Sequence, residues 1–367
     1  MNTNQNKYQN HLYFMKLALS QAQENLGHTR DNPSVGCVIT KNNSVISVGC
    51  TSNNGIPHAE YNAIYRSKLN LKDAKLYVTL EPCSNYGKTP PCTKSIIDSG
   101  IKNVFFSIND PDFRSHDKST KFLKKKNIRV KKGICKNETS LFYKSYIKSK
   151  TSLLPFVTCK LAISKDFFTI NKKERWITNK FSRGRVHLMR LNHDCIMTSC
   201  ETVIKDNPIL TCRINGLENR SPTRIILDRK LKIPLNSNII KKANTHRTII
   251  FYNKVNINKI KILKNLGIEL TKISLDIDNN LDLHEALIKT KELGFYRVFL
   301  ELGKKMTTSF LNKNLIDDFI LFVSDKNLLK NGKNNIKEQL KFFLKDKKAV
   351  AEKVNLFGER LLKYEIK

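Results

Sequence analysis

Four residues carry the densest chemistry in this sequence. They are His58 and Glu60 in Pro57-His58-Ala59-Glu60, Cys83 in Glu81-Pro82-Cys83, and Cys92 in Pro90-Pro91-Cys92. One imidazole and two thiolates make a good zinc-ligand set. Three protein ligands leave the fourth tetrahedral position open, which marks a site that works on a water. Glu60, two residues from the His, can project beside the metal without ligating it and carry protons. A closed, purely structural site would need a fourth Cys or His. Cys37 and Cys50 are the candidates, and both lie in strand-like apolar runs that read as core.

His-x-Glu joined to Pro-Cys and a second Cys is the pattern of zinc-dependent base and nucleoside deaminases. Their common spacing is Cys-x-x-Cys, whereas eight residues, Ser84 to Pro91, separate the two cysteines here. Gly87, Pro90 and Pro91 suit a fixed excursion of the chain. Cys92 then opens a helix, whose N-terminus is expected to favour its thiolate.

These residues need elements to hold them. Leu12, Met15 and Leu19 recur at helical spacing, so a helix is expected over Tyr8 to Gln23, with Gly27 as its stop. Val35 to Thr40 and Val45 to Val48 flank a polar turn and read as a hairpin. Strands follow at Lys75 to Leu80, Asn103 to Ser107 and Ile128 to Ile134, with helices at Pro91 to Ser99 and Thr120 to Lys126. The polar, basic stretch Lys144 to Ser152 places a boundary, giving domains 1–148 and 149–367. A second β/α series has strands at Phe156 onward, Cys195 to Thr198, Thr223 to Leu227, Arg247 to Tyr252 and Arg297 to Leu300. Its helices are Asn179 to Arg190 and Leu283 to Leu293. The lysine-rich stretch Lys326 to Lys348 is expected to be a loop or weakly structured insert.

Composition bounds the rest. The 367 residues favour two domains, and 40% hydrophobic residues suffice for packed cores. No run is apolar enough to cross a bilayer, and the polar N-terminus lacks a secretory signal, so the cytoplasm is expected. Nine cysteines, an odd number, argue against a disulfide framework. The net charge of +34 invites a nucleic-acid reading. Yet only 15 of the 66 basic residues are Arg, and the lysines are spread through every segment. Such scatter reads as compositional drift and a solvated surface, and no nucleic-acid partner is expected.

The spacing matches a known family. Asn32-Pro33-Ser34-Val35-Gly36-Cys37-Val38, Pro57-His58-Ala59-Glu60, Thr79-Leu80-Glu81-Pro82-Cys83-Ser84 and Gly87-Lys88-Thr89-Pro90-Pro91-Cys92 resemble the deaminase half of the bifunctional riboflavin-biosynthesis deaminase/reductases. The resemblance implies one zinc per chain on His58, Cys83 and Cys92, with Glu60 as proton shuttle and Asn32 in the base pocket. It also implies a cytidine-deaminase-like α/β/α first domain.

The second half is similar to the same family's reductase domain, a dihydrofolate-reductase-like α/β fold. The stretches that carry this are Lys160 to Ser164, Trp176-Ile177-Thr178, Thr202 to Arg213 and Glu301-Leu302-Gly303. By that pattern Ala162, Trp176, Thr202, Asp206 and Gly303 line an NADPH site, and Glu174, Arg190, Leu210, Arg213 and Glu301 hold the substrate. Without the resemblance, Arg190 reads as a solvated helix residue and Trp176 as core. The departures are specific. Phe167 replaces the Gly of the family's Ser-x-Asp-Gly turn, and Glu174 stands where Ser is common. The Gly pair after Glu301 is reduced to Gly303-Lys304, Asn85 replaces a His, and the loop Asp112 to Ser119 has drifted.

The expected activity is removal of the 2-amino group from 2,5-diamino-6-ribosylamino-4(3H)-pyrimidinone 5′-phosphate, followed by NADPH-dependent reduction of the ribosyl chain to ribityl. A homodimer through the reductase domain is expected. The rival readings are a deaminase acting on tRNA or DNA, and a second domain reduced to a dimerisation module.

Overall fold

The computed structural model describes residues 2–87, 89–254 and 256–367. The chain forms two compact units, Met1–Ser152 and Leu153–Lys367.

The first unit runs α1 (Asn2–Ala22), β1 (Gly36–Lys41), β2 (Ser44–Cys50), α2 (Ala59–Arg66), β3 (Lys75–Leu80), α3 (Cys92–Asp98), β4 (Asn103–Ile108), α4 (Lys118–Lys125), β5 (Arg129–Lys132) and α5 (Lys136–Thr151). The sheet order is β2-β1-β3-β4-β5. β1 is antiparallel to both neighbours, while β3, β4 and β5 run parallel. The strands alternate strictly. Cys37, Ile39, Leu76, Val78, Val104 and Phe106 face a core closed by Ala59, Ala63, Ile96 and Leu123 of α2, α3 and α4. Val38, Tyr77 and Phe105 face the other side, under Phe14, Met15 and Ala18 of α1. The result is an α/β/α sandwich. The basic stretch 144–152, read from sequence as a boundary, is mostly the end of α5, which buries Tyr143 and Ser145.

The second unit runs β6 (Phe156–Ile163), β7 (Phe168–Asn171), α6 (Lys180–Leu191), β8 (Cys195–Ser199), α7 (Cys200–Asp206), β9 (Thr223–Leu227), α8 (Asn238–Lys241), β10 (Thr248–Tyr252), α9 (Ile257–Asn265) and β11 (Glu269–Lys272). It continues with α10 (Leu283–Glu292), β12 (Arg297–Glu301), α11 (Lys304–Asn312), β13 (Asp318–Val323), β14 (Gly332–Asn335), α12 (Lys337–Leu344), β15 (Ala349–Ala351) and β16 (Arg360–Glu365). One sheet has the order β11-β10-β9-β8-β12-β6-β13-β16-β15, and β14 pairs with β7 apart from it. The strands from β11 to β13 are parallel, and β16 and β15 add antiparallel pairs. Both faces of the sheet are covered, which suits the continuous apolar runs of its central strands.

One expectation fails here. Lys326 to Lys348 is not a weakly structured insert, for it contains β14 and α12. Ile336 and Leu340 are buried in the main core, and Phe343 and Leu344 pack against it. The lysines between them are the solvent face of an amphipathic turn-and-helix.

Candidate active site

β3 and the two helices beside it assemble the first site. His58 is the extended residue just before α2, and Glu60 lies in the first turn, 3% exposed. Gly49 lets α2 lie directly on β2, since a Cβ there would collide with the backbone of Ala59 and Ala63. Cys83 follows the end of β3, and Cys92 is the first residue of α3. His58 Nδ1 lies 3.6 Å from Cys83 Sγ and 3.3 Å from Cys92 Sγ, and the three donor atoms are all within 4.8 Å of one another. With Zn–S near 2.3 Å and Zn–N near 2.0 Å, a tetrahedral ion sets an N···S edge of about 3.5 Å. Both N···S edges therefore match the spacing that zinc requires, and the residues present fit the ion.

The electrostatics correct one expectation. The N–H of Cys92 donates to Cys83 Sγ at 3.2 Å, so the start of α3 favours the thiolate of Cys83 and not that of Cys92. Cys83 is pulled down to about 4, first by its hydrogen bond from Cys92 and then by His58. Cys92 is pushed up by the same shared bond and by burial. Burial, then the charge of Cys83, lifts Glu60 to about 7.

His58, Glu60 and Cys83 line a cavity of about 320 Å³ that also takes in Asn32, Arg114 and Lys150. Asn32 donates its side-chain amide to the Gly55 carbonyl at 3.0 Å. The long Cys-to-Cys spacer loops out as expected, though its Lys88 lies outside the described residues. Cys37 and Cys50 are buried, as read.

Glu81 was missed. Its carboxylate, 3% exposed, accepts the N–H groups of Asp110 at 3.3 Å, Asp117 at 2.9 Å and Ser119 at 3.1 Å, and the Ser119 hydroxyl at 2.8 Å. It thereby suspends the 110–119 loop over the cavity. The signal was present in the sequence: an acid fixed between a strand end and a ligand cysteine is too close to the site to be idle.

In the second unit, β8, β12 and β6 are adjacent and parallel, so their carboxyl ends share one edge, where open α/β sheets bind ligands. Ala162 lies near the end of β6, Thr202 in the first turn of α7 after β8, and Glu301 at the end of β12. The Thr198 hydroxyl donates to the Glu301 carbonyl at 2.7 Å and ties two of these ends together. Gly303 precedes α11 in an extended conformation, and a Cβ there would meet nothing within 4 Å. Gly303 gives α11 no side-chain cap, so room and uncapped N–H donors meet at this helix start, which suits a dinucleotide phosphate.

Trp176 is 48% exposed, not core, with the guanidinium groups of Arg175 and Arg183 each 5.0 Å from its ring. Asp206 is an exposed residue at the end of α7, and its carbonyl accepts Arg175 at 3.1 Å. Arg190 is buried, not solvated. It grips Glu301 with two prongs and donates to the Thr211 carbonyl at 2.9 Å. Leu210 is buried with φ +59. Arg213 is exposed, and burial of its stem and the nearby Arg190, Arg175 and Arg183 lower its proton affinity. Glu174 turns to Lys326, 3.1 Å away, which offsets its charge. The turn after β6 keeps a left-handed residue, with Phe167 at φ +70. Asp166 braces it, accepting the N–H groups of Leu328 at 3.0 Å and Leu329 at 2.8 Å.

Comparison with known proteins agrees with both halves. Residues 8–108 match the cytidine and deoxycytidylate deaminase zinc-binding region, and residues 155–345 match the RibD C-terminal domain. The chain is 34% identical to the riboflavin biosynthesis protein RibD of Aquifex aeolicus, over 95% of this chain and 98% of that protein. A solved structure from Thermotoga maritima, a diaminohydroxyphosphoribosylaminopyrimidine deaminase/5-amino-6-(5-phosphoribosylamino)uracil reductase, is similar at TM-score 0.82 and 30% identity, covering 98% of this chain and 99% of that one. Acinetobacter baumannii RibD is similar at TM-score 0.84 and 27% identity, over 98% and 99%. With its His/Cys/Cys donors at zinc spacing beside Glu60 and a reductase fold behind them, the chain belongs to the RibD family of bifunctional riboflavin-biosynthesis deaminase/reductases.

Proposed function

We propose that the first unit deaminates 2,5-diamino-6-ribosylamino-4(3H)-pyrimidinone 5′-phosphate on a zinc held by His58, Cys83 and Cys92, with Glu60 as the catalytic residue. The observation that carries this reading is the donor geometry, tetrahedral N···S edges of 3.6 and 3.3 Å, with a buried carboxyl alongside. Zinc supplies Lewis acidity that brings the pKa of a water towards neutrality. Glu60 takes a proton from the attacking water and gives it to the ring nitrogen. The water oxygen bonds to the ring carbon bearing the amino group. Glu60 then takes the proton of the added hydroxyl and passes it to the amino nitrogen; the C–N bond breaks, the ring carbon gains a C=O and ammonia leaves. Asn32, at the cavity wall, orients the base.

The second unit reduces the deaminated product. NADPH, when bound, would supply the hydride, and solvent the proton, that turn the ribosyl side chain into ribityl. Ala162, Trp176, Thr202, Asp206 and Gly303 would hold it along the carboxyl edge of β6, β12 and β8, and the open start of α11 supports this. Arg190, Arg213, Leu210, Glu301 and Glu174 would face the phosphorylated sugar. The internal pairing of Arg190 with Glu301 favours a second reading, in which this unit serves assembly alone. The proposal extends to a homodimer through the second unit, checked by light scattering, and to a cytoplasmic setting. No helix among the described residues is long and apolar enough to cross a membrane. Assaying each half-reaction separately on the purified chain, with zinc and with NADPH, decides between the readings. Consumption of NADPH on the deaminated intermediate supports the bifunctional one, and its absence leaves the second unit an assembly module.

A further inference from the structure

The two stretches in which the deaminase half departs most from its family meet in space. Asn85, just past the first cysteine ligand, donates its side-chain amide to the backbone carbonyl of Arg114. Arg114 belongs to the drifted loop that hangs from Glu81. Both stretches contribute to the wall of the cavity that holds His58 and Glu60.

That wall carries two cations. Asp112, 7% exposed, accepts Arg114 Nε at 2.9 Å and Nη2 at 2.6 Å, and pairs with Lys150 Nζ at 3.2 Å. Lys150 comes from the last turn of α5, so the cluster ties a loop to a helix. Arg114 spends only its Nε and Nη2 on Asp112. The neighbouring acids are held by hydrogen bonds of their own. Glu81 is spent on the loop, and Asp110 accepts the Tyr146 hydroxyl at 3.0 Å and the Asp112 N–H at 2.9 Å. The Arg114 side chain keeps 67% exposure and the Lys150 side chain 24%, so both still face solvent at the cavity.

We propose that Arg114 and Lys150 are the specificity-determining contacts for the phosphate of the deaminase substrate. The inference rests on the pyrimidine 5′-phosphate reading above. The planar guanidinium suits phosphate oxygens, and the ammonium adds a point charge. Asp112 and the Glu81 tether hold both cations in place before substrate arrives, so little ordering is spent on binding.

The test uses the zinc-loaded full chain and compares deamination of the 5′-phosphate with that of its dephosphorylated nucleoside. Variants are Lys150→Met, Arg114→Gln, the double variant, and Lys150→Arg as the conservative rescue. The double variant is expected to raise KM for the phosphate form by roughly 30-fold or more, the order for two charge-assisted contacts, with kcat little changed. The preference for phosphate over nucleoside falls by the same factor, inorganic phosphate inhibits less, and Lys150→Arg restores most of the loss. A wild-type chain that deaminates both forms with equal kcat/KM overturns the inference and leaves the deaminase reading intact. So does a rise of KM for both forms together, which marks a purely structural cluster. A wild-type chain that deaminates neither form overturns the underlying reading and the inference with it.

Discussion

Arg190 and Glu301 are joined by a two-pronged ion pair, Nε to Oε1 at 2.6 Å and Nη2 to Oε2 at 3.0 Å, with side chains only 10% and 16% exposed. Breaking one side of a buried pair strands a charge, which costs about 3–5 kcal/mol. Glu301→Gln or Arg190→Met should therefore lower the unfolding transition of the second unit and abolish NADPH oxidation, while deamination continues. The double variant Arg190→Met/Glu301→Leu should recover much of the stability and none of the reduction. Calorimetry with paired activity assays checks both.

Cys83→Ala should release zinc and end deamination together, because two remaining ligands hold the ion poorly. Glu60→Gln should keep the zinc and slow deamination by at least about 100-fold. Metal content by atomic emission, read beside the rate, separates a ligand from a proton carrier. Loss of zinc from the Glu60 variant would give Glu60 a ligand role.

Phe167 at φ +70 makes an ordered prediction. A non-glycine residue in the left-handed region costs about 1–2 kcal/mol. Phe167→Ala keeps that cost and loses the ring's packing against the core, so it should be the least stable variant. Phe167→Gly loses the same packing but relieves the strain, and should melt above Phe167→Ala by about 1 kcal/mol. Since the turn already holds the left-handed form, Phe167→Gly should leave the KM for NADPH within about threefold.

His193 gives a pH dependence. Its ring is buried, Nδ1 bonds the Met189 carbonyl at 2.6 Å, and burial followed by the charge of Arg297 pushes its pKa down to about 3. The unfolded chain gains this proton near pH 6.5 and the folded chain does not. Stability is therefore lost as pH falls from about 6.5 towards 3, by about 2 kcal/mol at pH 5. Denaturant unfolding of the second unit at pH 7 and pH 5, with His193→Gln as reference, checks this. An equal pH slope in the variant would remove His193 as the cause.

The strands of the first unit, β6, β8, β9, β10 and β12 of the second, and the His/Cys/Cys trio are legible because each has a local signature, whereas β7, β11 and β13 to β16 are not. The short apolar run Val35 to Thr40 before a polar turn reads as a strand, and His58, Glu60 and Cys83 keep spacings that chemistry dictates. What stayed hidden depends on partners far away in sequence. Arg190 looks solvated until Glu301, 111 positions on, comes to meet it. Helix α12 looks like a charged loop because its one deeply buried residue, Leu340, and Ile336 just before it are set among lysines. The spacing placed Cys92 at a helix start, yet it could not tell that the helix N–H would serve the other thiolate.

Glu81 holds the cavity roof almost wholly by main-chain N–H groups, of which every residue but proline has one. Side chains of the loop that share in none of its bonds, such as the exposed Phe113, can therefore be exchanged without loosening its attachment to Glu81. A lineage whose composition slides towards lysine and asparagine can rewrite that rim while His58, Cys83 and Cys92, the proposed zinc ligands, stay untouched. The rim is the part of this enzyme best placed to evolve a new substrate preference.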